Sequence, residues 1–203
     1  MHSVFIQSIL LLFVVSSCSV DKKFKGDEPP ASLACEPAID NPFGSPHPDA
    51  PEEIKDWHEL IGECHCRSVK RLDKDNWADT TDLVWKWKYI MNGTAVQDET
   101  FNSDSSYAGS IRQYIPDSAR WYVHYYSNPG QTPKIPTWEG NRIGDEIILY
   151  NDQKAPNGMD GKFKITFSNI REDGFDWRGE WVTPDESFIY PTWHIMCKKR
   201  AVL

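Results

Sequence analysis

The chain has 203 residues, of which 30 are acidic and 22 are basic, and its formal net charge is −8 at pH 7. No run rich in Lys or Arg is present, which argues against nucleic-acid binding because neutralising phosphates needs a basic patch. Aromatic residues make up 13% of the chain, and their surface must line either a core or a ligand site.

The first residues predict an export signal. An apolar run over 4–15 is shorter than a transmembrane helix, which needs about 20 residues. Small residues follow the run, as signal peptidases require. The quartet Val15-Ser16-Ser17-Cys18 resembles the lipobox of bacterial lipoproteins, although no Lys or Arg precedes the apolar run. We therefore expect a signal peptide over 1–17 and a lipid on Cys18.

Residues 18–50 predict a flexible, lipidated tether. The segment is polar and rich in proline, so it cannot bury enough surface to offset the entropy lost on ordering. Because Ser19 follows the cysteine where Asp would signal inner-membrane retention, we expect an outer-membrane location, facing the periplasm or the outside. The lipid is then the protein's only attachment to the membrane. The remaining residues, 51–203, have the length of a single domain.

Four cysteines lie beyond the lipidation site: Cys35, Cys64, Cys66 and Cys197. An even number in an exported chain favours disulfides, in one of three connectivities. Cys64 and Cys66 share a face of a strand, and one of them can reach Cys197 if the first and last strands are neighbours, which leaves the other for Cys35. A metal site made of Cys64, His65, Cys66 and Cys197 is the alternative, and we do not predict it because adjacent strand residues point to opposite faces.

Residues 51–61 predict a short helix, because apolar residues at 54, 57, 60 and 61 have a helical spacing. We expect this helix to cover one end of a barrel. Alternating runs follow at 62–71, 82–91, 94–101, 106–115, 119–127, 135–143, 145–151, 162–170, 174–183 and 187–199. Asn92-Gly93 between two of them is a strong hairpin signal. Ten strands without intervening helices predict an all-β, antiparallel up-and-down barrel, with a sandwich as the alternative.

Aromatic patterns in three of these segments resemble those of bacterial lipocalin-like (calycin) barrel proteins. They are Trp85-Lys86-Trp87-Lys88-Tyr89 with Asn92-Gly93, 110–116 with 120–123, and 165–170 with 175–181. The resemblance covers about 57–199 and implies a barrel with an internal pocket. Phenolic acid decarboxylases have a similar architecture and use no cofactor. A small protein of this kind acts as a dehydratase on unsaturated uronate oligosaccharides in ulvan degradation, which is a likeness of fold only.

The sequence contains no motif for serine hydrolysis, zincin proteolysis or nucleotide binding. Cofactor-free acid/base chemistry or plain binding remains. The strand 119–127 places Tyr122, His124 and Tyr126 on one face. If this face lines a pocket, His124 would remove a proton from the substrate and either tyrosine would donate one to a leaving hydroxyl. Arg112 would bind a carboxylate of the substrate. The alternative is that this face is solvated and the opposite face, with Trp121, lines the pocket.

Four further residues are candidates for binding substrate. Tyr114 shares a strand face with Arg112. Arg178 and Glu180 resemble the inward Arg and Glu of the decarboxylases, although alternating charges more often mark a solvated face. Trp138, flanked by prolines beside a long loop, is expected to stack on a sugar ring at the barrel mouth.

These features leave three functions open. The leading expectation is a cofactor-free lyase, a dehydratase acting on unsaturated uronic-acid-containing oligosaccharides at the cell envelope. The second is a non-catalytic, lipocalin-like carrier of a sugar or of a hydrophobic or aromatic ligand. The third, haem binding as in nitrobindin-like barrels, needs an axial His with room around it. The first two need only a small-molecule partner.

Overall fold

The structure is a computed structural model that describes residues 33–130 and 132–199. The predicted signal peptide 1–17, the predicted lipidation site Cys18 and the first part of the predicted tether lie outside these residues. No helix in the described part of the chain is long and apolar enough to cross a membrane.

Ten antiparallel strands form a closed barrel in which each strand pairs with its neighbours in the chain and the last pairs with the first. The strands are β1 Gly62–Lys70, β2 Thr81–Ile90, β3 Ala95–Asn102, β4 Tyr107–Ile115, β5 Arg120–Ser127, β6 Thr137–Ile143, β7 Glu146–Asp152, β8 Lys162–Arg171, β9 Gly174–Val182 and β10 Ile189–Lys199. Closure leaves no unpaired sheet edge. The predicted all-β, antiparallel up-and-down barrel is confirmed.

A 3-10 helix over Glu52–Leu60 covers one end of the barrel with Ile54, Trp57 and Leu60 buried. The Trp57 ring stacks on Trp87 with 5.7 Å between centroids. The expected lid is therefore present, but it is not an α-helix. Its buried residues are spaced by three, which matches the three residues per turn of a 3-10 helix and brings all of them to the barrel side.

Hydrogen bonds also hold this helix to the strand ends. They run from Tyr114 to Glu53 at 2.9 Å, from Trp121 to Asp56 at 3.0 Å and from Arg142 to Glu59 at 3.2 Å. Burial raises the pKa of the Asp56 carboxyl group. This end of the barrel is thus sealed by both apolar and polar contacts, and any access to the interior lies at the opposite end.

Residues 35–47 pack against the β2–β3 turn. The Cys35 N–H donates to Asn92 Oδ1 at 3.1 Å, and the His47 N–H donates to the Gly93 carbonyl at 3.0 Å. A Cβ at Gly93 would lie 2.3 Å from a backbone oxygen of this segment. The segment is therefore held against the barrel, unlike the flexible tether expected through residue 50, because its backbone polar groups find partners in the turn.

One disulfide joins Cys66 of β1 to Cys197 of β10. The two residues are partners across the seam where the first and last strands close the barrel, which confirms that one of the Cys64 and Cys66 pair reaches Cys197. Cys35 and Cys64 are buried and free, so the second disulfide that the sequence allowed is not formed. Burial raises the pKa of the Cys64 thiol to about 11, which keeps it protonated at neutral pH.

Candidate functional site

The half of the barrel away from the 3-10 helix contains a cavity of about 380 Å³. Its walls are mainly aromatic and aliphatic side chains, namely Leu83, Trp85, Val123, Trp138, Leu149, Phe163, Ile165, Phe167, Trp177, Trp193 and Ile195. Exposed residues from strand ends and loops, such as Lys70, Pro129 and Gln153, also line it. They mark the mouth, at the end opposite the helix.

A buried ion pair lies at the inner end of this cavity. Arg112 Nη1 donates to Asp98 Oδ1, and each residue is only 3% exposed. Trp85 Nε1 donates to the other carboxylate oxygen of Asp98 at 2.6 Å. The guanidinium carbon of Arg112 lies 4.2 Å from the Trp87 ring centroid and 4.7 Å from that of Trp57, within the range of cation–π attraction. Burial lowers the pKa of Arg112, and the charge of Asp98 opposes that shift.

Two residues that line the cavity carry buried N–H groups with no hydrogen-bond partner among the described residues. They are Trp138, through Nε1, and Arg112, through Nε. Leaving such a donor unpaired costs about 1–3 kcal/mol, and both atoms are themselves out of contact with solvent. Tyr125 adds a hydroxyl to the lining, and burial raises its pKa.

The predicted acid/base residues of β5 do not line this cavity. Trp121 and Val123 are buried inside the barrel, so the alternating positions Tyr122, His124 and Tyr126 point outward. The prediction that the face with Tyr122, His124 and Tyr126 lines the pocket is wrong. The alternative, a pocket lined by the Trp121 face, is observed. The larger apolar surface goes inside because its burial contributes more free energy.

Two of these outward side chains have polar partners on the outer surface. His124 Nδ1 lies 2.9 Å from Thr137 Oγ1, and Gln97 Nε2 donates to Tyr126 Oη at 2.9 Å. These contacts satisfy the polar tips without any inward group. These side chains therefore have hydrogen-bond partners on the outer surface, and none of them lies near a ligand in the cavity.

The other candidates divide between the two sides of the barrel. Trp138 and Arg112 line the cavity, although the guanidinium that was expected to bind a substrate carboxylate is already paired. Tyr114 instead bonds the 3-10 helix, as described above. Arg178 and Glu180 lie on the outer face of β9, where Arg178 is 3.6 Å from Glu146, and neither is among the described residues that line the cavity.

Asp98 was missed by the sequence reasoning. The pattern that could have identified Asp98 is the alternation of burial along β3, where Val96 and Asp98 are buried while Gln97 and Glu99 are partly exposed. An acid on the apolar side of such a pattern needs a buried cation. Arg112, two strand positions before Tyr114 on the neighbouring β4, is the matching cation.

The fold and the cavity together define a closed antiparallel barrel with an interior site of small-molecule size. No protein-family model matches the chain, and no curated protein matches its sequence. Among solved structures, the crystal structure of Rv2717c from M. tuberculosis aligns with 75% of this chain and 99% of its own, at 9% sequence identity and a TM-score of 0.49. A likeness at this level carries no argument about function.

Proposed function

We propose that the protein is a non-catalytic, lipocalin-like binding protein that holds a small, largely apolar ligand inside its barrel. The observation that carries the proposal is the cavity of about 380 Å³, walled by aromatic and aliphatic side chains with few polar groups. Sites of this kind, concave, mostly apolar and with a small number of placed polar groups, are typical of small-molecule binding.

The lyase that the sequence favoured receives less support than binding does. A dehydratase needs a base and an acid within hydrogen-bond reach of its substrate, and the His124 and tyrosine groups named for these roles lie on the outer face. The carboxylate that does line the cavity, Asp98, is engaged by Arg112 and Trp85. A uronate oligosaccharide would also lose hydration of its hydroxyls against mostly apolar walls.

Haem binding lacks its ligand in this site. No histidine is found among the lining residues within the described ranges, so an axial imidazole is not available to an iron inside the cavity. Across residues 33–130 and 132–199, no group of three or more His, Cys, Asp or Glu side chains is placed to hold a metal ion. The attachment of a lipid at Cys18 and an outer-membrane location remain proposals from the sequence.

Blocking the mouth is expected to abolish binding without unfolding the protein. Ala108 lines the cavity near the mouth and is only partly buried, so Ala108→Trp fills the passage at small cost in packing. We expect the affinity for the neutral fluorescent ring compound N-phenyl-1-naphthylamine to fall by about 10-fold or more, since most of its apolar contact is lost. A fluorescence titration measures the change.

The matched control is Gln113→Trp, which adds the same side chain to the outer face of the same strand. It is expected to bind the compound as the wild type does. Thermal unfolding of both variants must remain cooperative for the comparison to hold. If folded Ala108→Trp binds as tightly as the wild type, then the cavity is not the binding site.

His124→Ala is expected to leave binding unchanged, because His124 does not touch the cavity. The variant loses one partly buried hydrogen bond to Thr137, and its free energy of unfolding should fall by no more than about 1 kcal/mol. Incubation of the wild type with unsaturated uronate oligosaccharides should leave their ultraviolet absorbance constant. Turnover by the wild type that disappears in His124→Ala would restore the lyase hypothesis.

A further inference from the structure

The ionisable groups of the cavity lie at its two ends. Asp98 and Arg112 form the ion pair at the inner end, and Lys70, the last residue of β1, is exposed and lines the rim. Within the described residues of the lining, Asp98 is the one acid, and Lys70 and Arg112 are the bases. Because Asp98 neutralises Arg112, the positive charge left to the cavity is that of Lys70.

The inner end disfavours an anion. A ligand carboxylate placed there would lie beside the Asp98 carboxylate, out of water, with the Arg112 charge already matched. Removing a charge from water without a countercharge is costly.

The rim favours an anion. Lys70 Nζ lies 4.2 Å from the ring centroid of Trp193, and Trp193 also lines the cavity. The pKa of the exposed Asp104 carboxyl group on the β3–β4 loop is lowered mainly by hydrogen bonds from Ser106, and the Lys70 charge adds a smaller effect. The ammonium group is therefore held over an aromatic wall of the cavity, at the point where a ligand leaving the interior meets water.

The walls below Lys70 favour a flat body. Trp177 and Trp193 meet edge to face at 5.1 Å, and Trp138 meets Phe163 at 6.2 Å in the same manner. Each pair presents ring surface to the cavity that they line, and ring surfaces pack well against another flat ring system.

From these features we infer that the ligand is an organic anion with a flat, ring-containing apolar body, bound with its body inside and its anionic group at the rim against Lys70. The inference rests on the proposed binding function and adds to it the charge, shape and orientation of the ligand. The anion stays partly hydrated in this orientation, while the rings leave water.

Two probes with the same ring system test the inference. N-phenyl-1-naphthylamine is neutral, and 1-anilinonaphthalene-8-sulfonate adds one anionic group to the same rings. We expect the wild type to bind the sulfonate about 5-fold more tightly than the neutral compound at low ionic strength, an effect of the size that a partly exposed ion pair supplies. In Lys70→Gln this preference should vanish while the affinity for the neutral compound stays within about twofold.

Lys134→Gln is the control, since it removes one positive charge from the β5–β6 loop without touching the lining. It should keep the preference, and added salt should weaken the preference in the wild type and in this control alike. Dodecanoate, an anion with a flexible chain in place of rings, should displace the sulfonate only weakly.

The outcomes separate the two proposals. If the wild type does not prefer the sulfonate, or if Lys70→Gln keeps the preference, the rim site for the anion is overturned. Dodecanoate binding more tightly than the ring compounds overturns the flat body. If neither ring compound binds the folded wild type, the proposed binding function itself fails.

Discussion

Replacing Asp98 with alanine is expected to lower the free energy of unfolding by about 3–5 kcal/mol, because it leaves the Arg112 guanidinium buried beside an empty position in place of its countercharge. Both residues are 3% exposed, so the guanidinium is largely removed from water and depends on Asp98 for its countercharge. Trp85 Nε1 loses its acceptor in the same variant. Urea unfolding followed by tryptophan fluorescence measures the change.

A variant that removes both charges separates the ion pair from simple packing. Asp98→Leu with Arg112→Met is expected to be much more stable than Asp98→Ala, since exchanging a whole buried pair for apolar residues is often neutral or stabilising. A loss of less than about 1 kcal/mol in Asp98→Ala would mean that Arg112 reaches water or another partner.

Removing the Cys66–Cys197 disulfide by changing both residues to alanine is expected to lower the free energy of unfolding by about 2–5 kcal/mol. The two cysteines are separated by 131 positions in the sequence, and a crosslink that closes so long a loop strongly restricts the unfolded chain. The same denaturant titration measures the effect.

A reductant provides the control for this second prediction. It should destabilise the wild type toward the level of the double variant and leave the double variant itself unchanged, since Cys35 and Cys64 are free. If the wild type unfolds at the same denaturant concentration with and without reductant, the crosslink contributes little to the stability of the barrel.

The barrel could be predicted from the sequence because the features that indicate it lie within single strands and turns. Each strand carries its own alternation, and Asn92-Gly93 sits in the turn between β2 and β3, where both residues adopt positive φ. The 3-10 lid could be placed by its apolar spacing alone. Such features depend on neighbouring residues in the chain, so they are visible without the rest of the fold.

The lining of the cavity could not be predicted in the same way. Both faces of β5 carry aromatic residues, and the choice between Trp121 and Tyr122 as the inward residue depends on pairing with strands elsewhere in the sequence. On the inner face, Trp121 lies opposite Gly140 of β6. A Cβ at Gly140 would fall 2.0 Å from a backbone oxygen of β7, so this close approach is fixed between strands and not within one.

Irregular strand pairing is a second reason why the lining of the cavity could not be predicted from the sequence. The register of β8 against β9 shifts between Ser168 and Arg171, where Asn169 has a φ of 50°. The register of β10 against β9 shifts between Pro191 and Trp193. Each shift reverses which positions face inward, so an alternation extended through it assigns part of the strand to the wrong side.

The crosslink at the seam also has a consequence for the closure of the barrel. Its two sulfur atoms meet only when β1 and β10, the first and last strands of the chain, are adjacent. Oxidation therefore fixes the pair of strands that closes the barrel. Because such bonds persist in oxidising compartments, the molecule reaches its full stability only where an oxidant is present to join the two ends of its sheet.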